Sequence, residues 1–339
     1  MSDNTTIFKR DVNQVIQVYG NYHEDNTTPR SNALSHKILQ LKYSIDREQI
    51  RGLVEAWVST RAAKRTSAPL VLTLLASDND SPINLVKGIK NELDFLIGED
   101  DMHLFDLSVD WPGPPVAAPH RLLNLFNAIG KQVRCKLPEK RRGFLSGLFA
   151  GTSRKAAENT PCHSLAPLIQ AIRYREQHIL VRINVEPSSL DNEFQSIFES
   201  WLSQWQAAQP LNPGQLCLVV LIVKTTPDSK SSASDMIAQY LQQHPALPVV
   251  PNDHELDEVD WAARPNLYLG RLDALTLGEL TNWVRTRLQY TSKNLGIEVD
   301  EQKLLENIER EQATQPLPMV KAEDVIERCV SEHIFDVGK

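Results

Sequence analysis

The stretch that indicates the fold of this chain best is residues 69–82, which read PLVLTLLASDNDSP. Residues 69–76 are an apolar run typical of a parallel strand that is buried on both faces. A polar turn follows, and Pro82 then opens a helix with Ser81 as its N-cap, because proline is favoured at the first helical position. A buried strand, a tight turn and a helix in this order predict an α/β fold.

The turn after this strand differs from the phosphate-binding loop of nucleoside triphosphatases. That loop reads G-x-x-x-x-G-K-[ST], and its backbone amides and lysine hold the phosphates. Here the turn has no glycine and no Lys-Ser pair, and it places Asp78 and Asp80, flanked by Ser77 and Ser81, at the start of the helix. We expect these carboxylates to satisfy the free amides and to repel an anion. The sequence therefore predicts a degenerate phosphate loop and no cofactor.

Bulk properties exclude several classes of protein. The 339 residues are 41% apolar, which is enough for one large domain or two smaller ones. The net charge of -7 argues against bulk binding of nucleic acid, and no apolar run of about 18 residues is present that would span a membrane. The cysteines are scattered without a C-x-x-C pair, and the N-terminus lacks an apolar leader. We therefore expect a cytoplasmic protein with free thiols.

Short apolar runs alternate with helical patterns along most of the chain. The predicted strands are 69–76, 103–109, 178–185, 216–223 and 267–269. The predicted helices are 46–64, 82–97, 119–130, 164–176, 190–207, 233–243, one opened by the capping box Thr276-x-x-Glu279, 299–312 and 321–334. This alternation predicts a doubly wound, mostly parallel sheet. We assign Trp57, Trp201, Trp205 and Trp283 to the core.

Composition divides the chain into three parts. Residues 1–34 are a β-rich arm, 35–292 the α/β domain with a basic insertion at 131–160, and 293–339 a C-terminal helical segment. The arm carries the partner-binding candidates Val15, Ile16, Val18, Tyr19 and Tyr22. Such a strand could pair with the main domain, with the sheet of a partner, or with another copy of the chain to form a homo-oligomer.

Lysine and arginine are concentrated in residues 131–155, where glycines and apolar residues are interleaved with them. The further candidates for partner binding there are Lys140, Arg141, Arg142, Phe144, Phe149, Arg154 and Lys155. Clusters of this kind contact phosphates of nucleic acid, a nucleotide signal or a membrane surface. The alternative is a solubilising loop that docks on the acidic remainder of the protein.

Residues for hydrolysis or metal binding are not evident. A strand that supplies a magnesium-binding acid should end in that acid, and only Glu186 lies near the right place, as a relic acid or a solvated or capping residue before Pro187. Lys87 and Lys90 on the helix after the loop are expected to face solvent and not to replace the missing lysine. The histidines are scattered, so we predict neither a metal site nor a catalytic residue.

From residue 46 to about 290 the chain resembles the inactive STAND domains of bacteria, which are relatives of P-loop NTPases that have lost the Walker residues. The matching features are the strand ending Leu74-Leu75-Ala76 before the degenerate loop, the helix with Trp201 and Trp205 after Val185-Glu186, the strand 218–223, and the segment 272–276 leading to Trp283. The N-terminal stretch 15–22 also resembles the β-rich leaders of such proteins. The resemblance implies a P-loop NTPase-like three-layer sandwich.

The resemblance also implies a function that does not involve catalysis. We expect a protein-interaction or sensing module of a bacterial conflict (anti-phage defence) system, which binds a trigger or a partner effector encoded nearby. One alternative is a divergent nucleotide- or second-messenger-binding switch without hydrolysis, since ligands bind at the carboxyl edge of such sheets. A second alternative is nucleic-acid binding through residues 131–155.

Overall fold

The computed structural model describes residues 37–38, 41–42, 48–63, 67–97, 104–135, 162–175, 177–226, 232–248, 260, 263–272, 274–297, 299–311 and 317–337. The predicted arm 1–34 and residues 136–160 of the predicted basic insertion lie outside this description.

The centre of the fold is a five-stranded parallel sheet. Its strands are β1 (Leu70–Ser77), β2 (Phe105–Asp110), β3 (Ile179–Val185), β4 (Cys217–Thr225) and β5 (Asn266–Arg271). They lie in the order β2-β3-β4-β1-β5, and each neighbouring pair is parallel. The predicted α/β class with a parallel sheet is thereby confirmed, and each strand lies where the apolar runs placed it.

In the described part of the chain, α-helices accompany these strands. They are α1 (Glu48–Ala63), α2 (Pro82–Ile97), α3 (Ala118–Cys135), α4 (Leu165–Arg175), α5 (Phe194–Gln206), α6 (Ser232–Gln243), α7 (Leu277–Trp283), α8 (Gln289–Leu295), α9 (Glu301–Glu311) and α10 (Met319–Val337). A π-helical turn, Val284–Leu288, joins α7 to α8. No helix among the described residues is long and apolar enough to cross a membrane.

Apolar side chains cover the two faces of the sheet separately. On one face, even-numbered residues of β1 and β4 pack with α1 and α2 around Trp57. On the other face, odd-numbered residues of β3 and β4 pack with α3, α4, α5 and α6, and this cluster contains Trp201 and Trp205. The helix that leaves β1 therefore lies opposite the helices that leave β2, β3 and β4, which makes the sheet doubly wound as predicted.

Helix α3 extends further than the sequence predicted. It was expected to end near residue 130, but it continues to Cys135, so residues 131–135 of the predicted insertion are helical. The reason is the buried position of Val133, which continues the helical spacing of Phe126 and Ile129. The charges of Lys131 and Arg134 hid this continuation in the sequence.

The C-terminal helices share a third apolar core, which includes Trp283, Leu304 and Ile326. We call α7, the π-helical turn, α8, α9 and α10 the helical unit. The prediction assigned residues 277–292 to the α/β domain, whereas the structure groups them with the C-terminal helices. The capping box at the start of α7 is confirmed: Thr276 Oγ1 accepts from the amide of Glu279 at 3.2 Å, and the amide of Thr276 donates to the Glu279 carboxylate at 2.7 Å.

Candidate functional site

The candidate site lies at the carboxyl edge of the sheet, between β1 and β4. Ser77 at the end of β1 is in register with Thr225 at the end of β4. The helices that follow these strands, α2 and α6, lie on opposite faces of the sheet. Such a reversal opens a crevice at the strand ends, which is the usual ligand position in doubly wound folds. We call it the switch-point crevice, and the degenerate loop 77–81 begins there.

Asp80 directs its carboxylate to the end of β1. Its Oδ2 accepts a hydrogen bond from the backbone amide of Ser77 at 2.6 Å and another from the Ser77 hydroxyl at 2.8 Å. Hydrogen bonds to an ionised acceptor are stronger than neutral ones, so this carboxylate holds the short 3-10 turn Asp78–Asp80 closed. The side chain of Asp78 lies outside the description. The amide that donates to this acid of the loop belongs to the end of β1, whereas the sequence led us to expect the amides at the start of α2 as its partners.

Ser81 has a backbone φ of 45°, in the left-handed region. A residue with a Cβ is strained in this region by about 1–2 kcal/mol, whereas glycine is not. The carbonyl of Ser81 accepts the first helical hydrogen bonds of α2, from the amides of Asn84 at 2.9 Å and Leu85 at 3.2 Å. The turn therefore keeps a glycine-type conformation without the glycine.

A second carboxylate reaches the start of α2 from the opposite end of the chain. Glu323 on α10 accepts a hydrogen bond from Asn84 Nδ2 at 2.7 Å, and the side chain of Ser81 also hydrogen-bonds to it. A carboxylate near a helix N-terminus is stabilised by the helix dipole. Since phosphates bind at helix N-termini for the same reason, Glu323 holds a position suited to an anionic ligand.

Burial distinguishes Glu323 from an ordinary surface acid. Its side chain is only 7% exposed. Burial raises the pKa of this carboxyl, while the hydrogen bonds from Asn84 and Ser81 and the charge of Lys42 act in the opposite direction. Because the pKa remains raised, these partners offset only part of the cost of burying the ionised group.

Sequence reasoning missed Glu323, although one signal was present. The apolar stripe of α10 is visible in the sequence, and Met319, Ala322 and Ile326 are buried on it. Glu323 stands four residues after Met319 and three before Ile326, so it belongs to the same stripe. An acid inside an apolar stripe is the pattern that marks a buried, bonded carboxylate.

Glu186, the predicted relic acid, is engaged by a lysine. Its Oε1 lies 2.9 Å from Lys224 Nζ, and its side chain is 45% exposed. It makes no side-chain cap on the 3-10 turn Pro187–Ser189. Lys224 is the penultimate residue of β4, so the two charges pair across neighbouring strand ends. Among the described residues no group of three or more histidine, cysteine, aspartate or glutamate side chains could hold a metal ion.

The prediction that Lys87 and Lys90 face solvent is wrong. Burial lowers the pKa of Lys87, as does the charge of Arg182, whereas Asp106 acts to raise it. Lys90 forms an ion pair with Asp94, one turn further along α2. Lys87 thus lies near the polar part of the sheet face, where Arg182 Nε donates to Asp106 at 2.8 Å, while Lys90 is held by an acid of its own helix.

The basic segment is attached at the amino edge of the sheet. Its two flanks meet there: Arg134 Nη2 donates to Cys162 Sγ at 3.0 Å, and a Cβ added to Gly130 would lie 2.5 Å from that sulfur. Arg175 donates to the carbonyl of Val133 and stacks on Phe105, the first residue of β2. The segment therefore leaves and re-enters the fold at the end of the strands opposite the switch-point crevice.

The other partner-binding candidates lie outside the described residues, so they remain predictions. They are Val15, Ile16, Val18, Tyr19 and Tyr22 in the arm, and Lys140, Arg141, Arg142, Phe144, Phe149, Arg154 and Lys155 in the basic segment.

The chain matches no protein-family model and no curated protein. Among solved structures it is similar to the Aeropyrum pernix ORC2 protein in its ADP form, with 12% identity over 94% of this chain and 72% of that chain and a TM-score of 0.40. It is also similar to Drosophila ORC bound to DNA, with 14% identity over 93% of this chain and 63% of that chain and a TM-score of 0.40. A third similar structure is the Walker-type ATPase PABY2304 of Pyrococcus abyssi, with 9% identity over 87% of this chain and 72% of that chain and a TM-score of 0.36. Likeness at this level assigns no activity to the chain.

Proposed function

We propose that the chain is a non-catalytic interaction or sensing module built on a P-loop-type α/β scaffold. The observation that supports this best is the pair of carboxylates at the switch-point crevice. Asp80 bonds the amide and hydroxyl of Ser77, and Glu323 bonds Asn84 and Ser81 at the start of α2. Polar groups at the place where a P-loop would hold phosphate are here bonded to acids of the chain itself.

Groups that phosphoryl transfer requires are missing from the loop or engaged elsewhere at the end of β3, which also supports a non-enzymatic function. Hydrolysis needs a lysine at the phosphates and an acid that holds Mg²⁺. The loop has no lysine, and the nearest acid at the end of β3, Glu186, is paired with Lys224. A magnesium ion at this place would compete with that ammonium group.

The resemblance to inactive STAND domains extends the proposal to a biological setting. Under this proposal, the chain serves a bacterial conflict system and binds an effector or a trigger without catalysing a reaction. Three regions are available for such a partner: the β-rich arm, the basic segment at the amino edge, and the helical unit at the carboxyl edge. Affinity capture with the full chain and with a chain lacking residues 1–30 tests the arm, because an unchanged set of captured proteins and an unchanged oligomeric state would exclude it.

Thermal denaturation with nucleotides tests the central claim. Folded protein is to be heated with ATP, GTP or cyclic nucleotides at millimolar concentration, each with Mg²⁺. A ligand present at about 100 times its Kd stabilises the folded state by about 2.7 kcal/mol, which raises the midpoint by several degrees. We expect no shift. A reproducible rise with any of these ligands would contradict the proposal and favour the alternative, a nucleotide switch at the crevice.

Nucleic-acid binding is the second alternative, and the exposed Lys131 beside Arg134 at the end of α3 favours it. Charge reversal at Arg141 and Arg142 tests it. If the basic segment binds phosphates, the reversed variant should lose retention on nucleic acid at low salt. The module proposed here predicts equal, weak retention of both proteins.

A further inference from the structure

The helical unit and the α/β sheet have separate apolar cores. No residue that the structure describes belongs both to the core of the helical unit and to either sheet cluster. Among the described elements, the most extensive contact between the two parts is that of α10 with the Asp78–Asp80 turn. Units with separate cores and polar contacts between them commonly move relative to each other.

Two polar contacts tie the helical unit to α2. One joins Arg287 of the π-helical turn to Glu92 at 3.6 Å, and the side chain of Arg287 is 39% exposed. An exposed ion pair of this length contributes little. The other is the buried contact of Glu323 with Asn84 and Ser81. Glu323 is therefore the stronger of these two ties.

The environment of Glu323 suits a contact that can be broken. The charged groups that act on it are Lys42 from the helical segment before α1, which lowers its pKa, and Asp324 on its own helix, which raises it. Lys42 is also bonded to Glu327. Among the described residues, Lys42 is thus shared between Glu323 and Glu327, so the ionised carboxylate of Glu323 is held with little surplus energy.

We propose that Glu323 is a latch that keeps the helical unit closed over the switch-point crevice, and that the unit swings open about the connection between β5 and α7 when the contact breaks. Leu272 belongs to the sheet core and Thr276 caps α7, so such a motion would use the connection between these two residues. The inference rests on the proposed function in one respect: it treats the crevice as a surface that the chain itself covers.

Hydrogen exchange measured by mass spectrometry on the full chain tests the latch without nucleotide. The variants are Glu323→Ala, which removes the contact, and Glu323→Gln, which keeps an acceptor oxygen but not the charge. Glu309→Gln on α9 is the matched control, since it removes the same charge at an exposed position of the helical unit. Segments 77–85 and 319–327 report on opening, and segments 179–185 and 217–223 of the sheet are internal references.

We expect Glu323→Ala to raise exchange in segments 77–85 and 319–327 by about tenfold, the ratio that corresponds to one hydrogen bond to a charged group. Glu323→Gln should exchange more slowly than the natural protein at neutral pH and equally at acidic pH, where Glu323 itself is protonated. The control should match the natural protein. Unchanged exchange in both Glu323 variants, or faster exchange in the sheet references as well, would overturn the latch. A nucleotide-induced thermal shift in the natural protein would contradict the proposed function instead, so the two failures are distinguishable.

Discussion

Replacement of Asp80 by alanine is the most direct perturbation of the degenerate loop. The substitution removes the acceptor that bonds both the amide and the hydroxyl of Ser77 at the end of β1. The strand end then loses the group that closes the Asp78–Asp80 turn. We expect the natural protein to be the more stable form.

The magnitude follows from the two hydrogen bonds. Each hydrogen bond to a charged group contributes about 1.5–3 kcal/mol when buried. Asp80 and Ser77 are half-buried, and water replaces part of the lost bonding, so the net loss for Asp80→Ala should be about 2 kcal/mol. Asp80→Asn keeps a neutral acceptor and should lose about half of this, because neutral hydrogen bonds are roughly half as strong.

Urea denaturation monitored by tryptophan fluorescence measures the loss. Trp57, Trp201 and Trp205 report on the sheet and Trp283 reports on the helical unit, and all four are buried. The matched control is Asn79→Ala, an exposed change in the same turn, which should stay within about 0.5 kcal/mol of the natural protein.

Adding sulfate to Asp80→Ala tests whether the Asp80 carboxylate occupies a position that an anion such as phosphate could fill, or only closes the turn. If the Asp80 carboxylate occupies an anion position, sulfate should stabilise Asp80→Ala more than it stabilises the natural protein at equal ionic strength. The comparison between variants cancels the general stabilising effect of sulfate. Equal stability of Asp80→Ala and the natural protein would refute the structural reasoning, and an equal sulfate effect would refute the anion position.

Four further changes test other parts of the fold. Gly130→Ala should destabilise the protein, because the added Cβ would lie 2.5 Å from Cys162 Sγ. Gly52→Ala should instead stabilise α1 by about 0.5–1 kcal/mol, because nothing lies within 4 Å of the added Cβ. Urea denaturation measures both changes. Arg121→Met should cost about 2–3 kcal/mol, since the buried Arg121 makes two hydrogen bonds to Asp191. Because Arg121 lowers the pKa of Asp191, the stability it contributes is present above the ordinary pKa of an aspartate and is lost as the pH falls through the lowered value, so the stability of Arg121→Met should fall less in acid. Replacement of residues 136–161 by a short Gly-Ser linker should leave the melting temperature unchanged in a thermal scan, because the flanks already meet through Arg134 and Cys162.

The sequence predicted well where the signal is local. The strand 69–76 and the helix from Pro82 are recognisable from an apolar run, a polar turn and a proline. The capping box of Thr276 and Glu279 was recognisable because its two hydrogen bonds join residues three apart. Period and capping chemistry are properties of neighbouring residues, so a single sequence contains them.

Prediction failed where a side chain depends on what packs over it. Lys87 was expected in solvent, but α2 crosses a polar part of the sheet that holds Arg182 and Asp106. Glu323 lies 239 residues from its partner Asn84. No local pattern connects two such positions, and only the packing of the helical unit on the turn brings them together.

The two carboxylates also determine what a nucleotide would have to do in order to bind. At an effective dielectric constant of about 20, two unit charges about 4 Å apart repel each other by about 4 kcal/mol, and a triphosphate at the start of α2 would meet both Asp80 and Glu323. Binding would therefore require Glu323 to withdraw. Because Glu323 belongs to the helical unit, nucleotide binding and opening of that unit would be thermodynamically linked, each favouring the other by the same factor. Glu323→Ala would then bind nucleotide more tightly than the natural protein, and a lack of binding in both would assign the exclusion of phosphate to the loop with Asp80.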